Sequence, residues 1–115
     1  MKIRIKGNSV RYRLTRSEVE RFTATGYFEE ATSFGDQQLI YALQQYNEAE
    51  LSAKFENNKI TLLMPQLLAK EWATTDRVGF NNNSSTLYLL IEKDFVCIDA
   101  MSEDQSDNYP NPLLK

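Results

Sequence analysis

The chain has 115 residues, 42% of them hydrophobic, a net charge of −3, one cysteine and no histidine. This length predicts one core rather than two lobes around a cleft, and a single cysteine, Cys97, excludes an internal disulfide framework. The missing imidazole excludes Ser-His-Asp and Cys-His nucleophile pairs, HExxH metal sites and any mechanism in which histidine carries a proton near neutral pH.

Along the chain, KIRIKGNSVRYRL alternates apolar and cationic residues with the period-two pattern of strands that bury one face. Gly7-Asn8 supplies a two-residue hairpin turn. Pairing outward from it sets Ile5 opposite Val10 and Ile3 opposite Tyr12 on one face, with Arg4 opposite Arg11 and Lys2 opposite Arg13 on the other. Thr15 and Glu18 form a capping box, and Val19 and Phe22 give the following helix its apolar stripe, so a helix is expected over residues 16–25 with Gly26 closing it. Residues 27–34 and 37–46 read as two strands around Gly35-Asp36. The continuous apolar run from Leu39 to Leu43 predicts a central strand covered on both faces.

A second hairpin follows, turning at Asn57-Asn58, with Leu51, Ala53, Phe55, Ile60, Leu62 and Met64 facing inward. Pro65 opens a short helix over residues 65–73, in which Leu68 and Trp72 share a face. Residues 78–80 form a short strand and 81–85 a polar loop. Residues 86–91 are the most apolar strand, for which we expect a turn at Lys93-Asp94 and pairing of Ile91 with Val96 and Leu89 with Ile98. From Met101 the composition becomes acidic, polar and proline-bearing, too poor in apolar residues to fold alone. One α+β domain over residues 1–100 and a polar tail over 101–115 is therefore the expected organisation. Its fold is expected to be a curled antiparallel sheet of hairpins closed by two short helices, with a partial barrel as the more strongly curled variant. Residue identities show no internal repeat.

Charge is unevenly distributed. Residues 1–21 carry seven cations against Glu18 and Glu20, a local balance of +5, and the remainder balances at −8. The face formed by Lys2, Arg4, Lys6, Arg11 and Arg13 is the candidate recognition surface, suited to a small anion or an acidic protein partner. The competing reading is a solvated face neutralised by Glu29, Glu30 or the tail. Nucleic acid is disfavoured by the acidic overall balance and by the lack of interleaved exposed aromatics. Glu48-Ala-Glu50-Leu-Ser52 matches the two acids of the triphosphate-tunnel ExExK signature but has serine where lysine is required, so that assignment is rejected. Cys97 is expected to be an inert thiol. No residue is assigned a catalytic, metal-binding or cofactor-binding role.

The opening MKIRIKGNSVRYRL and the late segment EDQSDNYPNP resemble a family of short uncharacterised bacterial proteins, a domain of unknown function, over nearly the whole chain. The resemblance implies a stand-alone bacterial protein and transfers no site. With no apolar run long enough for a membrane span or a signal peptide, the expected location is the cytoplasm. The leading expectation is a small non-enzymatic binding or interaction module. The alternatives are a histidine-independent enzyme or anion-binding protein acting on a phosphate- or carboxylate-bearing ligand, and a homodimer joining the basic head of one copy to the acidic tail of another.

Overall fold

The structure is a computed structural model that describes residues 1–82 and 86–94. Local sequence signals place most of its elements. β1 (Lys2–Lys6) and β2 (Ser9–Leu14) form the first hairpin, in the register that the Gly7-Asn8 turn predicts, with Gly7 at φ +53°. α1 (Arg16–Thr25) begins where the Glu18 carboxylate accepts a hydrogen bond from the Thr15 amide at 2.8 Å, which satisfies a donor the helix itself cannot. β3 (Tyr27–Ser33) and β4 (Gln38–Tyr46) follow as an antiparallel pair. β5 (Ser52–Glu56) and β6 (Lys59–Pro65) turn through Asn57 and Asn58 at φ +52° and +62°, the left-handed pair that a type I′ turn requires. α2 (Gln66–Thr74), β7 (Gly79–Asn81) and β8 (Tyr88–Lys93) complete the described chain.

These strands form two four-stranded sheets, ordered β1-β2-β8-β7 and β3-β4-β6-β5. The expectation of one curled antiparallel sheet, or of a partial barrel, is corrected on both counts. Each sheet is mixed, because its two inner strands run parallel, β2 beside β8 and β4 beside β6, and neither sheet is closed or curled. The physical reason is that each sheet joins two antiparallel hairpins edge to edge. Hairpins far apart in sequence meet side by side, and nothing in their turn chemistry fixes the direction in which they do so. β8 thus pairs with β2, while the expected partner segment, residues 95–98, and the tail over 101–115 lie outside the described residues.

The topology contains a repeat that residue identities conceal. Hairpin, helix and hairpin occur in the same order in β1-β2-α1-β3-β4 and in β5-β6-α2-β7-β8. The first hairpin of each half pairs with the second hairpin of the other half. The junctions are equivalent in detail: Tyr88 N donates to Asn8 O and Ile40 N to Asn58 O, both at 3.0 Å. At the other end Lys93 N donates to Val78 O and Gln45 N to Gly26 O, both at 2.8 Å. Matching positions in the two halves fill matching places in the core, so that Met1 corresponds to Leu51, Val10 to Ile60, Tyr12 to Leu62, Leu14 to Met64 and Phe22 to Trp72.

The apolar faces of the two sheets meet in one core closed by the helices. Across it, the Tyr12 hydroxyl donates to Ile60 O at 3.1 Å and its ring meets Tyr41 edge-on at 6.4 Å. Burial pushes the Tyr12 phenol well above its ordinary value. Phe22 of α1 and Trp72 of α2 meet edge-on at 6.4 Å, and Trp72 spends its indole N–H on Val78 O at 2.8 Å. The Met1 ammonium is held by Glu18 and Glu30. Burial opposes ionisation of Glu18, but hydrogen bonds from the Met1 ammonium and the Thr15 amide outweigh it and hold the carboxyl at about 2, against an ordinary 4.5.

At Gly79, β7 lies close against β8. A Cβ there would stand 2.1 Å from Ile91 O and 2.7 Å from Glu92 Cα, both backbone atoms with no freedom to yield. Gly79→Ala should therefore cost about 3 kcal/mol, the upper part of the overpacking range, whereas Gly35→Ala, with open space around it and φ +98°, should cost about 1 kcal/mol from the left-handed backbone alone. Urea midpoints measure both, and equal costs would refute the close approach.

Glu18 predicts the acid limb of stability. Between pH 4.5 and about 2 the unfolded chain holds a proton on this group that the folded chain does not, so stability falls as pH drops through that window. Glu18→Gln should be less stable at pH 7 and should lose this part of the slope. An unchanged slope in urea titrations across the window would count against the ion pair.

Candidate functional site

All five predicted cations lie on the outer face of the β1-β2-β8-β7 sheet, set there by the alternation that sends Ile3, Val10, Tyr12 and Leu14 inward. The cross-strand rows are Lys2–Arg13–Glu92–Gly79, Arg4–Arg11–Leu90–Asn81 and Lys6–Ser9–Tyr88. Like charges therefore stand directly opposite in two rows, an unfavourable arrangement for a strand pair.

Part of that repulsion is relieved by β8 and the residue after it. Glu92 Oε1 accepts from Arg13 Nε at 3.0 Å and lies 3.4 Å from Arg11 Nε, while Asp94 Oδ2 lies 3.0 Å from Lys2 Nζ. Glu29 and Glu30, two of the counterions expected from sequence, are not among them, and the tail lies outside the described residues. Glu30 is on the other sheet with the Met1 ammonium and the Tyr41 hydroxyl, and Glu29 is beside Tyr27 and Lys59. Two acids against five cations leave, among the described residues, a surplus of three positive charges on this face. Among the described residues Arg4 and Lys6 have no ion-pair partner.

The face is open rather than enclosed, but it is not flat. A depression of about 230 Å³ is bounded by the side chains of Arg4, Lys6, Ser9, Arg11, Tyr88 and Leu90. The Ser9 hydroxyl is turned into the hairpin, donating to Lys6 O at 2.6 Å. Ser9, Tyr88 and Leu90 are members that the sequence reading missed, and the two on β8 are the informative ones. Alternation along β8 puts both on one face, but their place beside Ser9 and Arg11 depends on the parallel register of β8 with β2.

The internal repeat provides a control. Matching positions on the other sheet replace Arg4 by Lys54, Lys6 by Glu56, Arg11 by Thr61, Arg13 by Leu63, Tyr88 by Ile40 and Leu90 by Ala42. The same backbone arrangement therefore stands without a cationic face. On that twin face Tyr27, Glu29 and Lys59 form a compact group, with Lys59 Nζ 4.8 Å from the Tyr27 ring centroid and the Tyr27 hydroxyl donating to Glu29 at 2.7 Å. The Tyr27 phenol is raised by burial and by Glu29, and the Lys59 ammonium by its hydrogen bond to Tyr27.

A larger groove of about 820 Å³ runs between α1, α2 and the end of β8, over Leu14 and Val19, with Arg16, Lys93 and Asp94 at its rim. None of the five predicted cations lines it. Among the described residues no three metal-ligating side chains gather, and no helix is long and apolar enough to cross a membrane.

Residues 1–113 match the model of a family of unknown function, DUF7009. The chain belongs to that family. Membership in DUF7009 brings no activity or site with it, and no curated protein and no solved structure matches the chain.

The Glu92 contacts make a checkable statement about this face. Glu92→Gln should lower stability by about 1 kcal/mol at low ionic strength, the ordinary value of a partly exposed ion pair, and high salt should erase most of the difference by screening the exposed guanidinium groups. A deficit that persists undiminished in high salt would mean that Glu92 acts through packing instead.

Proposed function

We propose that this chain is a small non-enzymatic binding module that takes up an anionic group on the outer face of its β1-β2-β8-β7 sheet. The observation that carries the reading is the surplus of three positive charges around a depression where Arg4 and Lys6 lack ion-pair partners among the described residues. An anion placed there relieves repulsion between directly opposed arginines, so binding and stability are linked in the same direction. Arginine suits the task because its planar fork bonds two oxygens of a phosphate or carboxylate at once.

The repeat supports the same reading. The twin sheet keeps the apolar character of the inward positions and lacks the cationic set, which supports a role for the cations other than holding the fold. An enzyme needs an acid or base converging on the bound group. The nearest carboxylate, Glu92, is engaged by Arg11 and Arg13 and does not line the depression, which favours binding over catalysis.

Phosphate should raise the midpoint of thermal unfolding relative to chloride at equal ionic strength. The triple substitution Arg4→Gln, Arg11→Gln and Arg13→Gln should leave the circular dichroism spectrum intact and abolish that rise. A triple variant still stabilised by phosphate to the same extent would overturn the assignment of the face.

A further inference from the structure

Resting on this reading, the depression also indicates what the anionic group is attached to. We propose that its ligand is a small phosphomonoester carried on a planar ring, with the phosphoryl group against Arg4, Lys6 and Arg11 and the ring on Tyr88 and Leu90.

The depression has two chemically unlike sides. β1 and β2 supply its three cations, and β8 supplies an aromatic and an aliphatic side chain in the adjacent register positions, Tyr88 beside Ser9 and Leu90 beside Arg11. Strands in a sheet lie about 4.8 Å apart, so the cations of β1 and the apolar side chains of β8 are separated by about 10 Å across β2. This is the span of a phosphorylated ring, and it exceeds that of a bare inorganic anion. At about 230 Å³ the space is below the usual range for drug-sized ligands, roughly 300–1,000 Å³. It suits one ring with one phosphoryl group better than a nucleoside triphosphate or a polymer.

Tyr88 has the properties of a contact residue. Its side chain remains 44% exposed although its neighbours along the strand are packed, and among the described residues its hydroxyl makes no hydrogen bond. Of the six large apolar or aromatic side chains exposed among the described residues, it is the one that lines the cationic depression. The twin sheet has Ile40 at the matching position, beside Lys59 and close to Glu56, so neither the ring at that position nor the charge surplus is reproduced on the same backbone arrangement. The charge count argues for a dianion. Among the described residues the lining holds Arg4 and Lys6 without ion-pair partners, Arg11 shared with Glu92, and no acid, and a phosphomonoester near neutral pH presents close to two charges on three acceptor oxygens.

Titration calorimetry on the full chain with phenyl phosphate, inorganic phosphate and phenyl sulfate, at fixed ionic strength and pH 7.5, tests this. Phenyl phosphate should bind about tenfold more tightly than inorganic phosphate, the gain expected from stacking one ring, and phenyl sulfate, a monoanion, should bind several-fold more weakly than phenyl phosphate. Tyr88→Ala should bring phenyl phosphate down to the affinity of inorganic phosphate and leave inorganic phosphate unchanged, while Tyr88→Phe should keep the preference. Because Tyr88 is half exposed, both variants should retain the wild-type unfolding midpoint. If phenyl phosphate binds no better than inorganic phosphate, or if Tyr88→Ala leaves the preference intact, the ring site is wrong and the anion-binding reading survives. Equal binding of phenyl sulfate and phenyl phosphate overturns the dianion assignment. Absence of binding by all three compounds overturns both this inference and the reading on which it rests.

Discussion

The constraint on which the rest depends is that neither half of this chain can complete a sheet from its own strands. β1-β2 needs β8, and β5-β6 needs β4. A two-stranded hairpin is at best marginally stable in water, whereas four strands with an apolar face on a shared core are stable. The two parallel junctions, β2 with β8 and β4 with β6, therefore couple the whole described chain into one cooperative unit. The helices make the exchange possible: each leads the chain out of one sheet and into the other, and their contact through Phe22 and Trp72 fixes the spacing between the two halves.

This architecture separates what the fold requires from what it tolerates. At matching places in the two halves the inward residues differ in identity but agree in character: Met1 and Leu51, Val10 and Ile60, Tyr12 and Leu62, Leu14 and Met64. Volume and apolarity are what a packed interior selects. The outward residues follow no such rule, and Arg11 and Arg13 on one sheet correspond to Thr61 and Leu63 on the other. A single chain thus performs a comparison that otherwise needs a relative.

Local signals in the sequence were sufficient for the Gly7-Asn8 and Asn57-Asn58 turns, both helices and the strand register of β1, β2, β5 and β6, because those features depend on residues a few positions apart. They overstated burial at the hairpin tips, where Ile5 and Phe55, expected inward, are 57% and 68% exposed because they lie beyond the edge of the core. They were insufficient for sheet order. The direction in which β2 meets β8 is decided by contacts across some eighty positions, and the apolar run of β8 is equally compatible with a hairpin to residues 95–98 or with a parallel place beside β2. The same limit governs the site. The five cations were legible from alternation and one turn, but the identity of their counterions, Glu92 and Asp94 rather than Glu29 or Glu30, follows from the parallel junction. So does the presence of Tyr88 and Leu90 in the depression.

The cationic face is also where the sequence departs from its own local rules. At the twin hairpin β5-β6 the alternation and the Asn57-Asn58 turn support the same strand pairing, as a chain with one native structure requires. In β1-β2 the opposed pairs Arg4–Arg11 and Lys2–Arg13 work against the strand pairing that contains them, and the twin hairpin shows that the fold does without them. Among the described residues the relief is incomplete. Glu92 reaches Arg11 and Arg13 in a part of the sheet where Gly79 lets β7 lie close against β8, yet Arg4 and Lys6 are beyond its hydrogen-bonding reach. A departure that costs stability and that the architecture does not need is most simply explained by something the face binds. On the proposed reading, Arg4 and Lys6, which have no ion-pair partner among the described residues, are where an incoming anion would complete the electrostatics of the sheet.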